Sequence, residues 1–163
     1  MYYTVYHAPI GALYILEKDG AIIEVMFDDE PFLAKKQAAN LEQADTSVLQ
    51  EAKKQLDEYF KGERQVFDLP LKQTGSPFQE QVWEALSAIP YGQSKSYADI
   101  AEAIGNPKAV RAIGQANRRN ALPIFIPCHR VIGKDRSLTG YAGTKTDMKV
   151  VLLELEGIPF VQK

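Results

Sequence analysis

Apolar positions follow two different spacings along this 163-residue chain. In the first third they cluster in short runs rich in aromatic and β-branched residues, Tyr2 to Tyr6, Leu13 to Leu16 and Ile22 to Phe27, which predicts strands. Asp19-Gly20, between the last two, is a tight-turn dipeptide, so an antiparallel meander is expected. Leu49, Ala52, Leu56, Tyr59 and Phe60 then recur at helical spacing and Gly62 stands where the helix would be capped. That pattern predicts an amphipathic helix over Thr46 to Lys61, covering the sheet. Val66 to Leu69 reads as one more strand. The loop Pro70 to Gly75 sets the expected boundary between a sheet domain, 1–74, and a second domain, 75–163.

From Ser76 the spacing is helical. Ser76-Pro77-Phe78-Gln79 supplies an N-cap, a proline at N1 and a glutamine at N3, and Phe78, Val82, Trp83 and Leu86 form one apolar stripe. Ser96 caps a short helix, Tyr97 to Ile104, with Asp99 at N3. Gly105-Asn106 turns the chain, and Pro107 is expected at N1 of a further helix running to about Arg118. Two short helices joined by a glycine turn, the second carrying cations, have the form of a helix-turn-helix. Met148, Val151, Leu152 and Leu155 predict a last helix, closed by Gly157 and Pro159. The fold class expected is α+β: a small N-terminal antiparallel sheet with a covering helix, and a mainly helical C-terminal domain containing a winged helix-turn-helix.

Composition narrows the class. Hydrophobic residues make up 45% and charged residues 25%, as in ordinary globular proteins, which excludes disordered, collagen-like and disulfide-rich types. No apolar run approaches the ~20 residues of a membrane span, and the N-terminus lacks the pattern of a secretory signal, so a cytoplasmic protein is expected. A single cysteine, Cys128, rules out an intramolecular disulfide and a multi-cysteine zinc site. No metal and no cofactor are expected.

Charge changes the picture once it is divided along the chain. Residues 1–74 hold 8 Lys+Arg against 13 Asp+Glu, whereas residues 75–163 hold 11 against 8. Between Gly105 and Lys145, Lys108, Arg111, Arg118, Arg119, Arg130, Lys134, Arg136 and Lys145 face only Asp135, a net of +7. Such a concentration on an acidic protein suits a polyanion such as nucleic acid.

The segment Ile124-Phe125-Ile126-Pro127-Cys128-His129-Arg130-Val131-Ile132 holds the chemistry. A strand-like apolar approach and a proline lead to a thiol, an imidazole and a guanidinium in succession. A lone cysteine is most often a small buried hydrophobe, but a cationic neighbourhood favours the nucleophilic thiolate. Chain neighbours rarely face one another, so His129 is expected to act on the sulfur through a water. His7, on a strand, is read as an ordinary surface or core side chain.

Pro127-Cys128-His129-Arg130-Val131, preceded by Ser96-Tyr97 and Asn120 and followed by Gly140-Tyr141 and Leu152-Leu153-Glu154-Leu155-Glu156-Gly157, resembles the O6-alkylguanine-DNA alkyltransferase family, the methylated-DNA-protein-cysteine methyltransferases. The resemblance runs from about Ser76 to Pro159. It implies a suicide reaction in which Cys128 takes the alkyl group from O6 of a damaged guanine and is not regenerated. His129 is then the base that acts through a water, Glu156 orients it, and Asn120 braces the Cys128 loop. The resemblance further implies binding of double-stranded DNA through the minor groove by the second helix of the helix-turn-helix, with the base flipped out of the stack. Arg111 would fill the gap, Ala112 and Gly114 would allow close approach, and Arg118 would add a phosphate contact. Tyr97 would assist flipping and hydrogen-bond the guanine, while Val131, Tyr141 and Ala142 would form the substrate pocket. A monomer suffices for one stoichiometric event. Two other readings are a non-catalytic alkyltransferase-like lesion binder, against which the presence of Cys128 argues, and a cysteine hydrolase using Cys128 and His129.

Overall fold

The computed structural model describes residues 1–138 and 146–161, without the side chains of Thr146 and Asp147. The chain divides into two compact units, Met1–Gln73 and Thr74–Lys163. Among the described residues no helix is long and apolar enough to cross a membrane.

The first unit is built on the meander β1 (Tyr2–Ala8), β2 (Gly11–Lys18) and β3 (Ala21–Met26). β1 and β2 pair antiparallel from Tyr2↔Glu17 to Ala8↔Gly11, and β2 pairs antiparallel with β3. Asp19 and Gly20 both take positive φ, 52° and 80°, as a two-residue hairpin turn of the right-handed sheet twist requires. Helix α1 (Asp29–Ala39) leads to β4 (Glu42–Gln43), which joins the sheet parallel to β1 and gives the order β3-β2-β1-β4. The sheet is therefore mixed, not purely antiparallel. Helix α2 (Ser47–Phe60), capped by Thr46 through its bond from the Leu49 N–H, buries Leu49, Ala52, Gln55, Leu56 and Tyr59. Val66 to Leu69 forms no strand. The Gln55 side chain donates to the Asp68 carbonyl and accepts from the Asp68 N–H, occupying the groups a ladder would use, and Val66 is left exposed.

The second unit contains α3 (Pro77–Ser87), β5 (Lys95–Ser96), α4 (Tyr97–Ala103), α5 (Val110–Arg118), a one-turn 3₁₀ segment at Cys128–Arg130, β6 (Val131–Ile132) and α6 (Thr146–Glu156). Ser76/Gln79 and Ser96/Asp99 both close reciprocal capping boxes, so the starts of α3 and α4 follow from four-residue sequences. Val110, not Pro107, is the first residue of α5, with Ala109 at the N-cap. The Ala109 N–H bonds the Asn106 carbonyl, so Asn106 to Ala109 is spent on a turn before the helix begins. β5 pairs parallel with β6 through Lys95↔Val131 and Ser96↔Ile132, which ties the start of α4 to the strand leaving the cysteine turn.

Candidate active site

Three devices fix the turn that carries Cys128. The first is Asn120, whose Nδ2 donates to the Ile126 carbonyl (2.9 Å) while its Oδ1 accepts from the Leu122 N–H (3.1 Å). Between those bonds Ile124 adopts φ 74°, a left-handed conformation unfavourable for a β-branched residue. The segment before Pro127 is therefore a braced turn and not the strand that its composition suggests. The second is the Ile126 carbonyl, which also accepts from the Cys128 N–H (2.8 Å). The third is the β6 ladder, which takes up the chain as soon as the turn ends.

Cys128 and His129 are both buried. His129 Nε2 lies 2.6 Å from Glu156 Oε2. The Glu156 carboxylate also accepts from Arg130 Nε (2.8 Å) and Nη2 (3.2 Å) and from the Gly92 N–H (3.3 Å). Gly92 has φ 81°, at the third position of a turn closed by the Gln93 N–H on the Pro90 carbonyl, and that turn aims its N–H at the carboxylate. Arg130 Nη1 donates to the Ile89 carbonyl (2.6 Å), and the guanidinium sits 5.8 Å from the Tyr91 ring centroid. Glu156 is thus a desolvated anion held by two side chains and a backbone donor, an arrangement far from the solvated carboxylate that a helix C-terminus would ordinarily show.

This network sets the protonation of the histidine. Burial lowers the pKa of His129 from 6.5, opposed by Glu156 and reinforced by Arg130 and Lys149, so the imidazole is neutral at physiological pH. With Nε2–H directed at Glu156, Nδ1 carries the lone pair that can take a proton. Arg130 stands apart from the basic surface inferred from its charge, since it is 6% exposed and engaged with Glu156.

Sequence reading also misses the face that α6 buries. Leu152 is buried as expected, but Val151 is exposed and Met148 and Leu155 are half-buried. The buried positions are Lys149, Leu152, Leu153 and Glu156, at helical spacing with a charge at either end. Lys149 is 0% exposed and its Nζ donates to the Val131 carbonyl (2.7 Å). Asn117 on α5 is likewise buried, with Nδ2 3.5 Å from the Cys128 carbonyl.

A second group of residues gathers on the outer face of α5. Tyr97, Val110, Arg111, Gly114, Gln115 and Arg118 line an open depression of about 270 Å³. Arg111, Ala112, Gln115 and Arg118 are exposed, while Ile113, Ala116 and Asn117 pack inward. The orientation is locked by Trp83 of α3, whose Nε1–H donates to the Ala116 carbonyl (3.0 Å). A methyl placed on Gly114 would meet only the Tyr97 ring, at 3.9 Å, so the space over this residue is open outward. His7 is exposed on β1. Tyr141 and Ala142 lie outside the described residues, and Val131 is buried.

The family model for the ribonuclease-like domain of 6-O-methylguanine DNA methyltransferase matches residues 1–73, and the model for the DNA binding domain of the same proteins matches residues 77–158. The chain belongs to this family. A methyltransferase relative, the constitutive methylated-DNA–protein-cysteine methyltransferase of Bacillus subtilis (strain 168), is 55% identical over 163 residues, covering 99% of each chain. The methylated-DNA–protein-cysteine methyltransferase of Methanosarcina acetivorans is 43% identical over 162 residues, covering 96% of this chain and 99% of its own. Among solved structures, Mycobacterium tuberculosis OGT in complex with DNA has a TM-score of 0.85 at 37% identity, covering 96% of this chain and 93% of its own.

Proposed function

We propose that this protein repairs alkylated DNA by moving an alkyl group from O6 of guanine to Sγ of Cys128, once per molecule. The observation that carries the reading is a buried Cys-His pair whose imidazole is held neutral and hydrogen-bonded to Glu156, in a chain of the methyltransferase family. The S–H proton passes to His129 Nδ1 through a water, and Glu156 stabilises the imidazolium that results. The thiolate attacks the alkyl carbon, the carbon–O6 bond breaks with its electron pair going to oxygen, and the guanine takes a proton as it departs. Tyr97 donates a hydrogen bond to the base, stabilising the charge that develops there. A thioether is not displaced by water, so the protein is consumed.

Access to a base in a duplex requires flipping, at a cost of a few kcal/mol. The exposed face of α5 suits this task, with Arg111 entering the stack from the minor groove, Ala112 and Gly114 clearing the approach and Arg118 contacting phosphate. Val131 lines the base pocket with Tyr141 and Ala142. The protein acts as a monomer.

The test is an intact-mass measurement after mixing the protein with excess duplex containing O6-methylguanine. The expected result is a gain of one methyl group per molecule, mapped to Cys128. Tight lesion binding without a mass change would instead identify a lesion-recognition protein, and turnover of small esters without an adduct would identify a hydrolase. Arg111→Ala is expected to slow repair in duplex by about 10-fold or more while sparing reaction with free O6-methylguanine base. Equal losses on both substrates would remove Arg111 from the flipping step.

A further inference from the structure

The reaction above gives no task to Lys149, although burying a charged side chain is costly unless something uses the charge. A methionine or leucine would complete the apolar surface that Leu152 and Leu153 begin, and replacing buried charge by apolar groups is commonly neutral or stabilising. The ammonium is held against the Val131 carbonyl, three residues beyond Cys128 and directly after the cysteine turn. Its titration is linked to the cysteine: burial pushes Lys149 down to about 8, and the negative charge of Cys128 opposes that shift. Electrostatic coupling is reciprocal, so an ammonium that the thiolate stabilises also stabilises the thiolate.

The surrounding charges make this coupling count. The cysteine turn contributes Cys128, His129 and Arg130; the loop after α3 contributes Tyr91; α6 contributes Glu156 and Lys149; and β6 contributes only backbone. Arg130 is engaged with Glu156 through both of the carboxylate oxygens, so those two charges largely offset one another. His129 is neutral before the reaction. Among the described residues of this group, the remaining full charge is that of Lys149. Lys149 and Glu156 lie seven residues apart on one face of α6, about 10 Å along its axis. The helix therefore sets an anion against the group that takes the proton and a cation against the carbonyl that follows the cysteine turn.

We propose that Lys149 is a positioning residue whose buried ammonium, fixed by the Val131 carbonyl, is the counter-charge of the Cys128 thiolate. This rests on Cys128 being the alkyl acceptor. Ionisation breaks the S–H bond, sends the proton to His129 and leaves the electron pair on sulfur beside Lys149. Alkylation turns that sulfur into a neutral thioether, so the ammonium loses its counter-charge in the same event.

The decisive experiment follows the rate of Cys128 carbamidomethylation by iodoacetamide against pH, without DNA, in the wild type and in Lys149→Met. The expected result is a profile displaced upward by about one pH unit or more in the variant, with the rate at pH 7 reduced about 10-fold. An unshifted profile in a folded variant overturns the proposal, since a merely structural lysine would not move it. Should Lys149→Met fail to fold, the wild type carries the test: with ¹³C-labelled lysine, the NMR titration of Lys149 should move to lower pH after Cys128 is capped by iodoacetamide. An unmoved titration overturns the proposal. Neither readout involves DNA, so failure of the wild type to take a methyl group from O6-methylguanine duplex would refute the repair reading separately.

Discussion

Replacing Glu156 with alanine is expected to destabilise the protein by about 3–5 kcal/mol and to slow alkyl transfer by about 10²–10⁴-fold. The stability loss arises because one carboxylate satisfies several buried donors. Without it the Arg130 Nε and Nη2, the His129 Nε2–H and the Gly92 N–H all lose an acceptor in a largely buried region. The guanidinium becomes an uncompensated buried cation beside His129. The rate loss has a different origin. In the proposed reaction Glu156 selects the tautomer with the proton on Nε2, leaving Nδ1 as the base, and offsets the charge that His129 acquires. Glu156→Gln keeps the shape but can accept through one oxygen only, so it should recover part of the stability while losing most of the rate. Chemical denaturation together with single-turnover repair separates the two effects. A fully active Glu156→Gln variant would mean that the carboxylate holds the fold and takes no part in the chemistry.

Asn120→Ala is expected to cost about 2–5 kcal/mol through its two buried backbone partners alone. Its side chain bridges the Leu122 N–H and the Ile126 carbonyl, and the turn between them contains Ile124 at φ 74°. Such a conformation costs about 1–3 kcal/mol and persists only where its surroundings enforce it. Removing the bridge lets the turn relax, and the Ile126 carbonyl that receives the Cys128 N–H moves with it. Alkyl transfer should fall about 10-fold or more because the sulfur no longer meets the alkyl carbon in line. Affinity for undamaged duplex should stay nearly constant, since the exposed face of α5 is untouched. Asn120→Asp keeps the acceptor for Leu122 but sets a buried carboxylate oxygen against the Ile126 carbonyl, so it should cost at least as much as alanine. Equal loss of DNA affinity and transfer would indicate that Asn120 supports the whole unit and not the cysteine turn. Folding by denaturant and binding by fluorescence anisotropy supply the two readouts.

The parts of the fold legible in the sequence are those whose determinants lie within a few residues. Asp19-Gly20 dictates its turn because the required backbone angles belong to that dipeptide. Ser76/Gln79 and Ser96/Asp99 place two helix starts because each box satisfies its own donors. The helical spacing of Leu49, Ala52, Leu56 and Tyr59 identifies α2 for the same local reason. Helix α1 escapes such a reading, because Phe32 is its only buried residue and no side chain caps its start. Val66 to Leu69 has strand composition but no free partner, since Gln55 occupies the Asp68 backbone.

The candidate site divides along the same line. Cys128 and His129 stand out because they share a short run with recognisable chemistry, whereas Asn120, Tyr97, Arg111 and Gly114 are singled out only by the family resemblance, and the outer face of α5 follows from helical periodicity once the helix is placed. Helix α6 is different. Its sequence offers an apolar stripe at Met148, Val151, Leu152 and Leu155, whereas the tertiary structure turns Lys149 and Glu156 inward and leaves Val151 exposed. Burying a charge is unfavourable for any helix considered alone, so local pattern assigns both residues to solvent. The cost is offset only by partners distant along the chain: Val131 for the lysine, and His129, Arg130 and Gly92 for the glutamate. The sequence by itself determined the place of the candidate nucleophile, the starts of α3 and α4 and the cationic face. The tertiary structure decided which charges are buried, because that balance depends on donors and acceptors brought together only by folding.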